Sequence, residues 1–96
     1  IRLTLNHTGK IGKEFMGHNF VLLKKDVDVD DFAMLALDFK ENEYIPENND
    51  LIVHTKMLGG GESETINFTI EEPGIYTYVC TFPGHYQIMQ GELTIE

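Results

Sequence analysis

Apolar and polar residues alternate with a period of two along most of this chain. Ile1, Leu3 and Leu5 alternate with Arg2, Thr4 and Asn6. This predicts a half-buried strand, because successive side chains of an extended backbone point to opposite faces. Residues 17–23 (GHNFVLL) form a more continuous apolar run, the pattern of a central strand. Residues 51–55 (LIVHT) and 64–70 (ETINFTI) are further strands, bordered by Asn/Asp or Gly clusters. Residues 74–80 (GIYTYVC) follow Pro73-Gly74 and carry the aromatic and β-branched residues that strands favour, and residues 90–95 (QGELTI) close the chain. Six short strands separated by turn signals predict an all-β, antiparallel sandwich.

One segment departs from this period. Between Asp30 and Glu43, Phe32, Leu35, Ala36 and Phe39 recur at helical spacing with acids on the other face. Asp28 or Asp30 caps the predicted helix and Pro46 follows it. It reads as a helical flap inserted between strands, so the 96 residues form one domain, 1–96. Gly59-Gly60-Gly61 is a turn, and without a following Lys-Ser/Thr it is not a phosphate loop.

Charge narrows the partners. Sixteen acidic residues against seven basic give a net charge of −9. That argues against nucleic acid or an anionic membrane surface, both of which need clustered Lys and Arg, and suits cationic partners. No apolar run approaches the roughly 18 residues of a bilayer-spanning helix. The chain opens at Ile1 rather than Met, directly on strand-like sequence, which suggests a processed or trimmed N-terminus.

The lone cysteine cannot form an internal disulfide and must be a buried filler, a reactive thiol or a metal ligand. Cys80-Thr81-Phe82-Pro83-Gly84-His85-Tyr86-Gln87-Ile88-Met89 favours the last. A cysteine ends a strand, Pro-Gly reverses the chain, and His and Met return toward it. Thiolate, imidazole and thioether are soft or borderline donors that together select copper over Mg, Ca or Mn. Two histidines and a cysteine with a weak axial methionine are the donor set of electron-transfer copper, so a second histidine is required. His18 supplies it best, at the start of a strand after Met16-Gly17. Gly17, lacking a Cβ, lets its carbonyl approach a metal closely. The Asn19 side chain is positioned to tie this strand to the cysteine loop, fixing ligand orientation.

Met16-Gly17-His18-Asn19-Phe20-Val21-Leu22, followed far downstream by Cys80-Thr81-Phe82-Pro83-Gly84-His85 and Met89, resembles the azurins, type 1 (blue) copper proteins of the cupredoxin family. Leu5-Asn6-His7-Thr8-Gly9 and His54-Thr55-Lys56-Met57-Leu58-Gly59 extend the resemblance, in the same order, over nearly the whole chain. It implies a cupredoxin-like Greek-key β-sandwich and electron shuttling in the bacterial periplasm with c-type cytochromes or copper oxidoreductases, a membrane tether being compatible with it. It further implies one copper ion with His18, Cys80 and His85 as equatorial ligands and Met89 and the Gly17 carbonyl as axial ones. Asn19 would stiffen the site, and backbone N–H groups of Asn19 and Phe82 would bond the Cys80 sulfur. Met16, Leu58, Phe82, Pro83 and Ile88 would form an apolar patch around His85. The family's first strand, with its disulfide, has no counterpart upstream of Ile1. Phe20 stands where azurins commonly bury a tryptophan, and the flap region, 24–49, matches poorly and is unusually acidic.

Blander readings compete. Cys80 alone would most often be a buried thiol, and Met89 a core filler. His7 reads as a packed, structural histidine, His54 as solvent-exposed, and Asp26, Asp28, Asp30 and Asp31 as a solvated surface. Copper storage would use the same ligands as an electron carrier. An enzyme with Cys80 as nucleophile and His85 as base lacks an evident oxyanion or orienting group. A structural zinc site would find Met89 a poor ligand.

Overall fold

In a computed structural model that describes residues 1–96, apart from the side chains of residues 13 and 14, the N-terminal alternating segment forms strand β1 (Arg2–Asn6). Its polar positions are exposed while Leu3 and Leu5 are half-buried. A short helix α1 (Lys13–Met16), which the residue pattern did not signal, leads to β2 (Val21–Leu23). Then come helix α2 (Val29–Ala36), a 3₁₀ segment (Leu37–Asn42), β3 (Leu51–His54), β4 (Ser63–Asn67), β5 (Gly74–Val79) and β6 (Gln90–Ile95). The pair β1-β4 is one antiparallel sheet and β3-β2-β5-β6 the other. The chain crosses between the sheets after β1, β3 and β4, so strands adjacent in space are distant in sequence, as in a Greek-key sandwich. Among the described residues, no helix is long and apolar enough to cross a membrane.

The continuous apolar run of β2 has a direct cause: both faces of this strand are covered. Phe20 and Leu22 join Tyr76 in the sandwich interior, against Leu3, Leu5, Ile66 and Phe68 of the β1-β4 sheet. Val21 and Leu23 join Val79 on the opposite face, where Phe32 and Ile45 of the flap cover them and Tyr86 closes the edge. A β-bulge sits opposite Leu23. Val21, Leu22 and Leu23 pair with His54, Val53 and Leu51, which leaves Ile52 as the extra residue. Ile52 and Val53 therefore both pack with the interior cluster, and Leu51 with the flap side.

The flap corrects the expectation of one helix over 30–43. Helix α2 is capped by Asp28, whose carboxylate accepts the Asp31 N–H at 3.0 Å. Beyond Ala36 the backbone tightens, and Phe39 (φ −112°, ψ 34°) leaves helical geometry altogether. Leu35 is also not on the buried stripe: it is 39% exposed, and Ala33 takes its place beside Phe32 and Ala36. The strand expected over 64–70 pairs only to Asn67, although Phe68 and Ile1 exchange hydrogen bonds beyond it. Charge is unevenly spread. Residues 26–50 hold nine acidic side chains and one basic, Lys40, and so carry eight of the nine net negative charges.

Candidate metal centre

Two segments some sixty residues apart meet at one end of the sandwich. On the first, β-bridge hydrogen bonds fix His18 against Leu58, N–H to O in both directions at 3.0 and 2.7 Å. On the second, Cys80 follows β5 directly, and its N–H donates to the Met89 carbonyl at 2.9 Å, which closes the loop. Phe82-Pro83-Gly84-His85 is a tight turn in which the His85 N–H donates to the Phe82 carbonyl at 3.0 Å. Proline at its second position and Gly84 at φ +83° at its third are what a type II turn requires. The chain thus returns His85 to the cysteine it left five residues earlier. The buried Asn19 side chain joins the two segments: its Nδ2 donates to Thr81 Oγ1, and its Oδ1 accepts the Thr81 N–H, both at 2.8 Å.

The outcome is a compact donor set. One ligand atom each of His18, Cys80 and His85 lies within 4.8 Å of the others, and Cys80 Sγ is 3.8 Å from His85 Nδ1. Cys80 is buried, with the backbone N–H groups of Asn19 and Phe82 directed at it. His18 Nδ1 is buried with no hydrogen-bond partner. A polar atom in that state costs free energy unless something fills its lone pair. Protonation states also suit a metal. Burial lowers the pKa of His18, with further lowering from His7 and His85. Burial lowers that of His85 too, against a raising effect of the Gly17 carbonyl. Both shifts favour the neutral imidazole, the form that offers a lone pair to a metal. Burial raises the pKa of the Cys80 thiol, opposed by the Asn19 and Phe82 amides. Those same amides stand ready to stabilise a thiolate once a cation displaces its proton. Two imidazoles, one of them with an orphaned nitrogen, and a sequestered thiol fit copper.

His7 is buried beneath the site, its ring 4.3 Å from that of His18. Its Nδ1 accepts the Gly9 N–H at 3.0 Å, which leaves Nε2 to donate to the Met16 carbonyl at 2.6 Å. It is a structural histidine that anchors the peptide leading into Gly17. His54 is exposed, as expected. Gly17 is buried with its carbonyl toward His85, and Met89 is half-buried on the copper loop. Of the apolar patch expected around His85, Met16 and Ile88 are exposed, the latter by 83%, and Phe82 and Pro83 are half-buried. Leu58 is not part of it: its bridge with His18 draws the side chain fully inside. Phe15, 76% exposed, is an apolar residue beside Met16 that the sequence reading missed. The Thr81 partnership with Asn19 also went unread, since a threonine in a loop carries no distinguishing signal.

A β-sandwich that gathers His, Cys and His at one end in this way defines a copper-binding protein with a mononuclear centre. The chain belongs to the copper binding proteins of the plastocyanin/azurin family, whose profile matches residues 3–96. It is similar to azurin-1 of Alcaligenes xylosoxydans xylosoxydans, 38% identical over 100 residues that cover 97% of this chain and 75% of that protein. It is similar also to outer membrane protein H.8 of Neisseria gonorrhoeae, 35% identical over 96 residues, 97% of this chain and 52% of that protein. The crystal structure of dithionite-reduced auracyanin from Roseiflexus castenholzii matches with a TM-score of 0.88 and 35% identity, covering 100% of this chain and 76% of that one. The expected cupredoxin-type sandwich is thus the observed one, and copper is its cofactor.

Proposed function

We propose that the protein is a one-electron carrier, not an enzyme, in which His18, Cys80 and His85, together with Met89 and the Gly17 carbonyl, would hold a single copper ion. The observation that carries this reading is the convergence of three donors within 4.8 Å, one of them, His18 Nδ1, buried and without a partner. Bound copper supplies a Cu(I)/Cu(II) couple. The protein supplies fixed positions: the Leu58 bridge holds His18, the Asn19–Thr81 pair holds the two ligand segments together, and the Pro-Gly turn holds His85. Ligands already held by packing move little when the charge of the site changes, which keeps the cost of each electron transfer low. The half-exposed His85 edge, ringed by Met16, Phe82, Pro83 and Ile88, is the port through which the electron enters and leaves.

The likeness to a reduced auracyanin supports redox service, and the likeness to a protein named for the outer membrane supports a location in the bacterial periplasm. The net charge of −9 supports a partner with a cationic face, such as a c-type cytochrome or a copper oxidoreductase. A nucleophilic role for Cys80 is disfavoured, since burial raises its pKa and leaves only 2% of the residue accessible.

Titration with Cu(II) tests the reading. One equivalent should produce an intense visible thiolate-to-copper absorption and a reversible one-electron wave, both absent in Cys80→Ser. A wild-type protein that stays colourless would end it.

A further inference from the structure

We propose that the turn Glu43–Tyr44, where the flap leaves its 3₁₀ segment, is a positioning clamp that fixes the spacing between the two ligand-bearing segments. The proposal rests on the copper-site reading above.

Glu43 and Tyr44 are successive non-glycine residues in the left-handed region, at φ +53° and +62°. Side chains larger than glycine rarely adopt it, and bulky ones still less. Backbone bonds hold them there: Glu43 N–H to the Lys40 carbonyl, Tyr44 N–H to Phe39 and Ile45 N–H to Asn42. The Asn42 side chain adds a bond to the Ile45 carbonyl at 2.7 Å. Two consecutive strained residues persist only where the surroundings over-determine them. Here they direct two side chains to two places.

The Tyr44 ring meets Phe82 nearly edge-on, with centroids 6.0 Å apart at 65°. Phe82 in turn lies 4.7 Å from the His85 ring, and its N–H faces the Cys80 sulfur. The Glu43 carboxylate accepts the N–H of Met57 at 3.3 Å. Met57 is buried and adjoins Leu58, which bridges to His18. One turn therefore presses on the Cys80–His85 loop with an aromatic ring and on the His18 partner strand with a carboxylate. Asn19 and Thr81 tie the same two segments from within; the clamp does so from the flap side. Replacing either residue by one that relaxes the turn would let the loop and the strand drift apart.

A merely structural turn would change stability alone, whereas a positioning turn changes the metal centre while the protein stays folded. The test compares Tyr44→Leu and Tyr44→Phe by visible absorption, electron paramagnetic resonance and reduction potential of the copper-loaded protein, and by amide hydrogen exchange of the copper-free protein. Tyr44→Leu should alter the copper spectrum and potential and speed exchange at the His85 amide by about tenfold. Tyr44→Phe, which keeps the ring, should restore both. Glu43→Ala, which removes the acceptor and is read without copper, should speed exchange at the Met57 amide with the fold intact, and it decides the matter if Tyr44→Leu does not fold. Wild-type spectra and wild-type exchange in folded Tyr44→Leu, or unchanged Met57 exchange in Glu43→Ala, would overturn the clamp. A colourless wild type would instead remove the copper-site reading and leave the exchange results standing.

Discussion

The two faces of β2 are built differently. On the flap side, Val21, Leu23, Phe32, Ile45 and Val79 are all buried, and Tyr86 of the copper loop packs against them. In the sandwich interior only Phe20, Leu22 and Tyr76 are buried, while Leu3, Leu5, Ile66, Phe68 and Leu93 remain partly open. Among the described residues the pair β1-β4 leaves these side chains partly open, whereas a helix and its following turn close the other face. The difference teaches where rigidity is concentrated. The closed cluster carries the copper loop, so the segment that presents Cys80 and His85 rests on the better-packed half of the molecule. Stability and ligand geometry should therefore respond together on the flap side and separately in the interior.

The largest effect expected from this contrast is the cavity left by Phe32→Ala, about 3–5 kcal/mol of lost stability by chemical denaturation, accompanied by a weakened visible copper band. Leu5→Ala, on a half-buried interior position, should cost about 1 kcal/mol and leave the band unaltered. Equal losses, or an altered band in the second variant, would erase the distinction. Asn19→Ala should fall between them, at about 2–3 kcal/mol, because it strands the buried Thr81 N–H and hydroxyl. Its mark should be greater on the copper spectrum than on the denaturation midpoint.

The smallest effect sharpens the comparison by pH. In the copper-free protein, His18 and His85 bind protons more weakly when folded than the ordinary value of 6.5, so stability falls as pH drops through 6.5 toward their lower folded values. Cys80 binds its proton more tightly than the ordinary 9.0, so stability falls again above that pH, where the unfolded thiol ionises first. Thermal midpoints measured across pH should trace a plateau between those limits. Copper should raise the whole profile and steepen the acid-side decline, since the ligated imidazoles take up no proton until the metal leaves, while the unfolded ones do so below 6.5.

Much of this was legible in the residues. Leu3 and Leu5 declared β1 through strict alternation, and the apolar run over 17–23 marked a central strand, of which Val21–Leu23 is the part that pairs. Cys80, His85 and His18 declared the centre because soft donors around a Pro-Gly turn have few other uses. What stayed hidden depends on three-dimensional packing. Leu35 fits the helical period, yet it is exposed while Ala33 lies on the buried side with Phe32 and Ala36. Leu58 looks like a surface residue of the copper end, but its pairing with His18 turns it inward. The extra residue at Ile52 and the left-handed backbone at Glu43 and Tyr44 have no signature in residue type, since neither glycine nor asparagine is there to announce them.

The crowding of eight of nine net charges into residues 26–50 gives the molecule a large permanent dipole. An approaching charged surface therefore exerts a torque before any contact forms, turning the acidic flap toward positive potential. Collisions are sorted by orientation as well as by frequency, and added salt, by shortening the reach of that field, should randomise the angle of approach before it weakens the final complex.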